Sequence, residues 1–399
     1  MRPLAVTVLA LGAAVVGGAL VYLLGPGRDD GGSARPARVV VGEIDAGAAA
    51  ASAPLTGQGF NPERIYAARA PGVVTLYTYF GGAPPAEHAA QGSGFVVSPD
   101  GYILTSAHVI TTAGQGTDAP TRGARDVYVA FADGDRVEAQ MVGWDLFDDV
   151  GVVRVDPRKH MLRPIALGDS DALRVGAAVA AIGSPFGNRG SLSVGVVSAV
   201  GRSIPSLTSA YYVSDAIQTD APITHGNSGG PLLDASGDAV GINAQIRTDT
   251  GGGEGVGFAV PINAAKRSLR QLIASGHVRY PYVGIETGDL TPTLARHLGV
   301  AVKRGALVQT VSPDTPGAAA GLRAGNRTEF FNGVEIRPGG DVLTAIGGLP
   351  VRSSSDVARV LVEHFHPGQV VAFSIVRGNH RQTLKVKLAL RPAVPDASP

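Results

Sequence analysis

The sequence predicts a mainly β chain followed by a smaller α+β domain, and three observations carry that expectation. Short apolar runs recur with turn signals between them. The 55 glycines and 27 prolines are scattered among those runs. The one long amphipathic helical pattern falls late, at residues 264–276.

In chain order, Asn61-Pro62-Glu63 opens a short helix, with asparagine as N-cap and proline at the first position, ending near Ala70-Pro71. Strand-like runs follow: VVTLYTYF (73–80), GSGFVVSP (92–99), YILTSAHVI (102–110), DVYVAFA (126–132), RVEAQMVGW (136–144) and VGVVRV (150–155). Pro99-Asp100-Gly101, Asp133-Gly134-Asp135 and Asp156-Pro157 punctuate them. AVAAIG (178–183), SLSVGVVSAV (191–200), YVSDAIQT (212–219), AVGINAQI (239–246) and VGFAVP (256–261) continue the pattern. Many short strands without intervening helices argue for an antiparallel barrel or sandwich.

At Pro261-Ile262-Asn263 the period changes. Ala265, Leu269, Leu272 and Ile273 mark the apolar face of a helix with Asn263 as N-cap and Gly276 just past its end. From Tyr280 to Pro392 the pattern is mixed: YVGIE, ALVQTV (306–311), DVLTAI (341–346), a helix over 355–366, VVAFSIV (370–376) and LKVKLAL (384–390). An additional hairpin is expected around Asn332-Gly333.

Leu4–Leu24 carries no charge, and about 20 such residues cross a ~30 Å hydrocarbon core as a helix. Tyr22-Leu23-Leu24-Gly25-Pro26-Gly27 offers no small-x-small cleavage site, so an uncleaved transmembrane helix is expected, with the rest of the chain outside the cytoplasm. The expected divisions are an anchor at 1–25, a flexible linker at 26–59, a first domain at 60–277, a second at 280–392 and a disordered tail at 393–399.

The net charge of +1 gives no reason to expect a nucleic-acid partner. Without cysteine there is no disulfide framework, thiolate metal site or cysteine nucleophile. The chain also lacks a phosphate-cradling GxxxxGK[ST] and a zinc-binding HExxH, so no cofactor, metal or ATP is expected.

The chemistry concentrates in Thr224-His225-Gly226-Asn227-Ser228-Gly229-Gly230. A serine hydroxyl needs a base to become a nucleophile, and the oxyanion it creates needs backbone N–H donors, which Gly226 and Ser228 can supply. His108, at the end of a strand-like run, is the candidate base. Asp149, opening an apolar strand, is the candidate acid that orients it. Asp145 and Asp148 are expected to be solvated turn residues. His88, His160, His277, His297, His364, His366 and His380 have no catalytic reading, and His225 is poorly placed to reach Ser228.

TSAHVI (105–110), DDVGVVRV (148–155), AIGSPFG (181–187), THGNSGGPLL (224–233) and GVGFAVPIN (255–263) resemble the trypsin-like protease domain of the HtrA/Deg family, over about residues 60–275. The resemblance implies a trypsin-like double β-barrel and a His108–Asp149–Ser228 triad. It also implies an oxyanion hole from Gly226, Asn227 and Ser228, and site-shaping loops at 182–187 and 245–256. Asn227 stands where digestive proteases carry an aspartate, so activation by ion pairing with a new N-terminus is not expected.

The remainder resembles a PDZ domain. Tyr282-Val283-Gly284-Ile285 matches its carboxylate-binding loop, and residues 341–361 match a strand, a turn and a groove helix. That helix places Val357, Val360 and Leu361 on one face, either groove or core. Residues 326–340 depart from the usual short turn.

Together these resemblances imply a membrane-anchored, ATP-independent serine endopeptidase of protein quality control and stress response. It would work on the periplasmic or extracellular side, in a bacterial setting. Expected partners are unfolded or damaged proteins, C-terminal peptides at the PDZ domain, and two further copies in a homotrimer contacted through Phe60 and Tyr66. The competing readings are a dedicated stress-sensor protease that cuts one membrane substrate, and a proteolytically silent PDZ scaffold.

Overall fold

The computed structural model describes residues 59–81, 89–113, 120–184, 190–224, 226–244 and 256–393. The expected anchor, most of the linker and the tail, much of the two site-shaping loops, His88 and His225 lie outside the described residues. Among the described residues no helix is long and apolar enough to cross a membrane.

Helix α1 (Pro62–Arg69) starts where its cap residue predicts, with Asn61 Oδ1 accepting from the Arg64 N–H at 3.0 Å. The strands β1 (Val73–Tyr79), β2 (Ala89–Val96), β3 (Tyr102–Thr105), β4 (Asp126–Ala130), β5 (Arg136–Asp145) and β6 (Val150–Val155) follow. They close an antiparallel barrel in the order β1-β2-β3-β6-β5-β4. Leu76, Ile103, Val129 and Val153 fill it, each fully buried.

A second barrel repeats the scheme with β7 (Ala178–Gly183), β8 (Ser191–Pro205), β9 (Tyr212–Thr219), β10 (Pro231–Leu233), β11 (Ala239–Ala244) and β12 (Gly257–Pro261). It closes in the order β10-β11-β12-β9-β8-β7. Closure removes the exposed sheet edges that such short strands would otherwise present. A further core cluster joins the barrels, with Leu104, Val150 and Val152 of the first meeting Ala180, Ile182 and Leu233 of the second.

Three details differ from the sequence expectation. The run at 102–110 is not one strand: β3 stops at Thr105, and Ala107–Ile110 forms a single helical turn, α2. The cause is non-local, because the Ala107 N–H donates to the Asp149 carbonyl at 3.1 Å instead of continuing the sheet ladder. Pro231–Leu233 was too short a run to read as a strand, yet it lies between β7 and β11.

The third concerns helix α3 (Ile262–Ser275). It begins before Asn263, whose amide is not a cap but donates to Asp169 Oδ1 at 2.7 Å. It ends as expected at Gly276 (φ 76°), in the left-handed conformation glycine favours. Its buried face is Ala264, Ala265, Ser268 and Leu272, while Ile273 is exposed.

The second domain comprises β13 (Pro281–Tyr282), β14 (Ile285–Leu290), α4 (Pro292–Leu298), β15 (Gly305–Val311) and α5 (Pro316–Ala319). It continues through β16 (Glu329–Phe331), β17 (Val334–Ile336), β18 (Val342–Ile346), β19 (Leu349–Pro350) and α6 (Ser354–His364). It finishes with β20 (Val370–Arg377), β21 (His380–Lys387) and β22 (Ala389–Leu390). The main sheet runs β14-β15-β18-β20-β21, with β14 at its edge.

β16 and β17 form the expected hairpin, and Asn332 (φ 49°) and Gly333 (φ 80°) both take the positive φ of a type I′ turn. Helix α4 had a readable signal in Thr291-Pro292, since Thr291 Oγ1 accepts from the Leu294 N–H at 3.2 Å. Val357, Val360 and Leu361 all belong to the core of this domain.

Candidate active site

β3 and β6 are antiparallel neighbours, with Thr105 opposite Gly151. Residues just beyond the end of β3 therefore face residues just before β6, which brings His108 to Asp149. The Asp149 carboxylate holds the histidine twice: Oδ1 accepts from the His108 backbone N–H at 2.9 Å, and Oδ2 lies 2.7 Å from His108 Nδ1. With Nδ1–H facing a carboxylate, the other ring nitrogen, Nε2, carries the lone pair.

Asp149 is buried and has φ +52°, a left-handed conformation rare for a residue other than glycine. Its paired contacts and the Ala107 N–H on its carbonyl hold it there. Burial pulls the His108 pKa down, but the charge of Asp149 and the hydrogen bond to it more than offset that, leaving it above the ordinary 6.5.

Ser228 lies in the turn between β9 and β10, and backbone from both barrels fixes it. The Ser93 N–H of β2 donates to the Ser228 carbonyl at 2.9 Å, and Ser93 Oγ donates to the Gly226 carbonyl at 2.5 Å. The Gly229 N–H reaches the Asn243 carbonyl at 2.9 Å. Gly229 has φ +85°, and a Cβ there would lie 2.2 Å from the Ser93 carbonyl and 3.0 Å from the Ser106 nitrogen. Only glycine lets the serine turn come this close to the segment that bears His108.

Ser228 Oγ is buried and has no hydrogen-bond partner among the described residues. The structure thus joins His108 to Asp149 and sets the serine turn against the segment that bears His108, but among the described residues it shows no His108–Ser228 hydrogen bond. Gly226 has φ +96°. Among the described residues neither the Gly226 nor the Ser228 N–H donates to a backbone carbonyl, whereas the Asn227 N–H is engaged with the Thr224 carbonyl at 3.0 Å. That bond takes the Asn227 N–H out of the oxyanion set expected from sequence.

Asp145 and Asp148 also correct the sequence reading. They are not solvated turn residues but are 2% and 9% exposed, and both carboxylates meet the hydroxyl of Tyr280. No local pattern pointed to Tyr280, which lies more than a hundred positions away in sequence.

In the second domain, Tyr282 pairs with Ala389, Val283 is buried, and Ile285 opens the edge strand β14. Gly284 (φ 75°) passes so close to Thr315 that a Cβ would lie 2.4 Å from its side chain. Helix α6 starts beside β14, its Ser354 N–H donating to Asp289 Oδ1 at 2.7 Å. The four residues of the expected carboxylate loop therefore lie at one end of an edge strand flanked by a helix. Phe60 and Tyr66 are half-buried and pack on the core that joins the barrels.

Comparison with known proteins agrees with this architecture. Residues 92–242 match the trypsin-like peptidase domain family, and residues 281–388 match the PDZ domain family. The chain is 37% identical over 303 residues to a probable periplasmic serine endoprotease DegP-like from Brucella suis biovar 1 (strain 1330), covering 76% of this chain and 53% of that protein. It is 38% identical over 302 residues to protease Do-like 1, chloroplastic, from Arabidopsis thaliana, covering 76% of this chain and 64% of that one. The chain thus spans between about half and two thirds of these relatives.

Among solved structures, the HtrA-type protease AlgW with tripeptide superposes with a TM-score of 0.68 at 33% identity, covering 83% of this chain and 98% of that one. The serine endoprotease from Yersinia pestis gives 0.58 at 27% identity, with 83% and 98% covered. With both domain types in one chain and a near-complete match to an HtrA-type structure, the chain belongs to the HtrA/Deg family of trypsin-like serine proteases with a PDZ domain.

Proposed function

We propose that the chain is a serine endoprotease that hydrolyses peptide bonds of unfolded or damaged proteins outside the cytoplasm. The observation that carries this reading is the two-point grip of Asp149 on His108, which sets the tautomer a general base needs. In the proposed reaction His108 Nε2 takes the proton of Ser228 Oγ as that oxygen attacks the scissile carbonyl. Asp149 steadies the imidazolium, and the Gly226 and Ser228 N–H groups meet the oxyanion. The imidazolium then protonates the leaving amine, and water releases the acyl group by the same relay. Peptide hydrolysis supplies the driving force, with no ATP.

The PDZ domain is proposed to take C-terminal peptides between β14 and α6, with the Tyr282–Ile285 loop at the carboxylate. The proposal also includes an anchor through residues 4–24, a linker to about residue 59, domains over 60–277 and 280–392, and a homotrimer contacted near Phe60 and Tyr66. The unbonded Ser228 Oγ favours a second reading, a sensor protease that rests until a peptide engages the PDZ domain.

The test is β-casein cleavage by the purified chain beside Ser228→Ala. Cleavage by the parent alone is expected, because loss of the nucleophile costs several orders of magnitude, about 10⁶-fold in rate. A parent that cuts only after C-terminal peptides are added is the sensor. One that binds such peptides but never cuts is a scaffold, and the protease reading is then wrong.

A further inference from the structure

The turn that delivers Asp149 is held from a distance. β5 ends at Asp145, whose Oδ1 accepts from the Phe147 N–H at 2.9 Å and the Asp148 N–H at 3.4 Å. Its other oxygen, Oδ2, accepts from Ser268 Oγ of α3 at 2.6 Å and lies 2.5 Å from the Tyr280 hydroxyl. The same hydroxyl lies 2.7 Å from Asp148 Oδ2.

Tyr280 also forms the base of the second domain. Its carbonyl accepts from the Arg391 N–H at 2.9 Å, and the Arg391 guanidinium lies 4.9–5.3 Å from the rings of Tyr280, Phe147 and Tyr211. Phe147 packs edge-on against Tyr280 at 5.0 Å. The residue that opens the PDZ domain therefore touches both ends of the turn leading to Asp149.

Asp145 Oδ2, the Tyr280 oxygen and Asp148 Oδ2 form a row of three oxygens at hydrogen-bond distance. A row of three needs two protons, and tyrosine brings one. The second must reside on a carboxyl group; otherwise one of the contacts sets a lone pair against a lone pair.

We propose that Tyr280 is a positioning residue: by sharing two protons with Asp145 and Asp148 it fixes the turn that presents Asp149 and fastens that turn to the PDZ domain. This rests on reading Asp149 as the acid of the triad. The electrostatics agree with a proton held on the row. Burial, then the charge of Asp148, pushes Asp145 up to about 6, while burial and the two carboxylates hold the Tyr280 hydroxyl well above its ordinary value, so it stays protonated.

The other charges facing the row are Arg391 over the tyrosine ring and Arg267 of α3, 3.9 Å from Asp148. Asp171, Asp215, Arg359 and Glu363 line the adjoining cleft between the domains. As pH rises through about 6, the shared proton leaves, one contact of the row is lost, and the turn loosens. The sign is that of a raised folded-state pKa: the stabilisation is full below the ordinary carboxylate range and declines through the raised one. His108 as base imposes the opposite slope from a value above 6.5, so the two overlap and the parent's activity should peak in a narrow window, rising on one limb and falling on the other.

The experiment follows kcat and KM of the full chain on a fluorogenic peptide across a pH series, for the parent, Tyr280→Phe and Asp148→Asn. Removing the hydroxyl should lower kcat about 10- to 100-fold with KM unchanged, the range a displaced reacting group costs, and should abolish the falling limb. The side-chain amide introduced by Asp148→Asn is a permanent N–H donor for the tyrosine oxygen, so that variant should keep kcat and extend it to higher pH. A Tyr280→Phe protein with the parent kcat and pH profile overturns the inference, as do two variants that lose activity equally at every pH. If Tyr280→Phe does not fold, an unmoved falling limb in Asp148→Asn overturns it alone. Labelling of Ser228 by a fluorophosphonate separates this from the protease reading: a parent that neither cuts nor labels sinks that reading, and this inference with it.

Discussion

Asp149 in the first domain and Asp341 in the second are both buried, and both grip one partner with two carboxylate oxygens. Asp149 takes the backbone N–H and Nδ1 of His108. Asp341, fully buried, takes Arg377 Nε and Nη2 at 2.7 Å each, with the Arg323 N–H at 2.9 Å on Oδ2. The difference is the partner. An imidazole can gain and lose a proton near neutral pH, whereas a guanidinium paired with a carboxylate is pushed further from titrating. Burial and bidentate geometry alone thus do not mark a catalytic carboxylate; the chemistry of what it holds does.

The sharpest way to break the comparison is to neutralise each aspartate in turn. Asp149→Asn should cut kcat about 10⁴-fold, because the amide favours the wrong imidazole tautomer, while thermal unfolding stays close to that of the parent. Asp341→Ala should do the reverse. Stranding Arg377 should cost about 3 kcal/mol, the low end for a broken buried pair because the guanidinium still reaches water. Urea unfolding would read that loss, and peptide hydrolysis by the surviving folded fraction should be normal. Equal losses of activity in both variants would mean that the two carboxylates do the same work.

A smaller effect separates the titratable partner from the fixed one. Because His108 is held above its ordinary value, the rising limb of kcat/KM should lie above 6.5 once Asp148→Asn has removed the titration of the Tyr280 row. It should move down when Asp149→Asn removes the charge. The stability linked to the same pair runs the other way, full below 6.5 and lost as pH rises through the raised value. Smallest of all is a third aspartate, Asp156, which Arg158 grips at 3.0 and 2.8 Å in open solvent. That contact holds its carboxyl well below the usual range. Water competes for such a pair, so Asp156→Asn should leave the unfolding midpoint unchanged in a thermal scan.

The barrels were legible because period-2 runs and turn residues are local signals. VGVVRV, AVAAIG and YVSDAIQT became strands with the expected bounds. The Asn332-Gly333 hairpin was legible for the same reason, since both residues tolerate the backbone such a turn demands. His108, Asp149 and Ser228 could be singled out by residue type and sequence context. Most of what escaped was set by partners distant in sequence. Ala107–Ile110 turned helical because the Asp149 carbonyl, in the turn before β6, claimed its first N–H, and Asn227 lost its expected role to the Thr224 carbonyl. Asp145 and Asp148 looked like solvent-facing turn residues until the fold brought Tyr280 over them. Only for Asn227 does the deciding group lie nearby, three residues back; no window around the others contains theirs.

Pro281 pairs with Leu390 and Tyr282 with Ala389, so the described PDZ domain enters and leaves at one place, beside Tyr280 and Arg391. For a designer, that makes it a cassette. Paired strand residues sit about 5 Å apart, so any compact domain whose own ends lie that close could replace residues 281–390 without stretching the barrels. A short turn could also close the gap. Whatever signal such a replacement answered to would enter the protease through the same narrow waist.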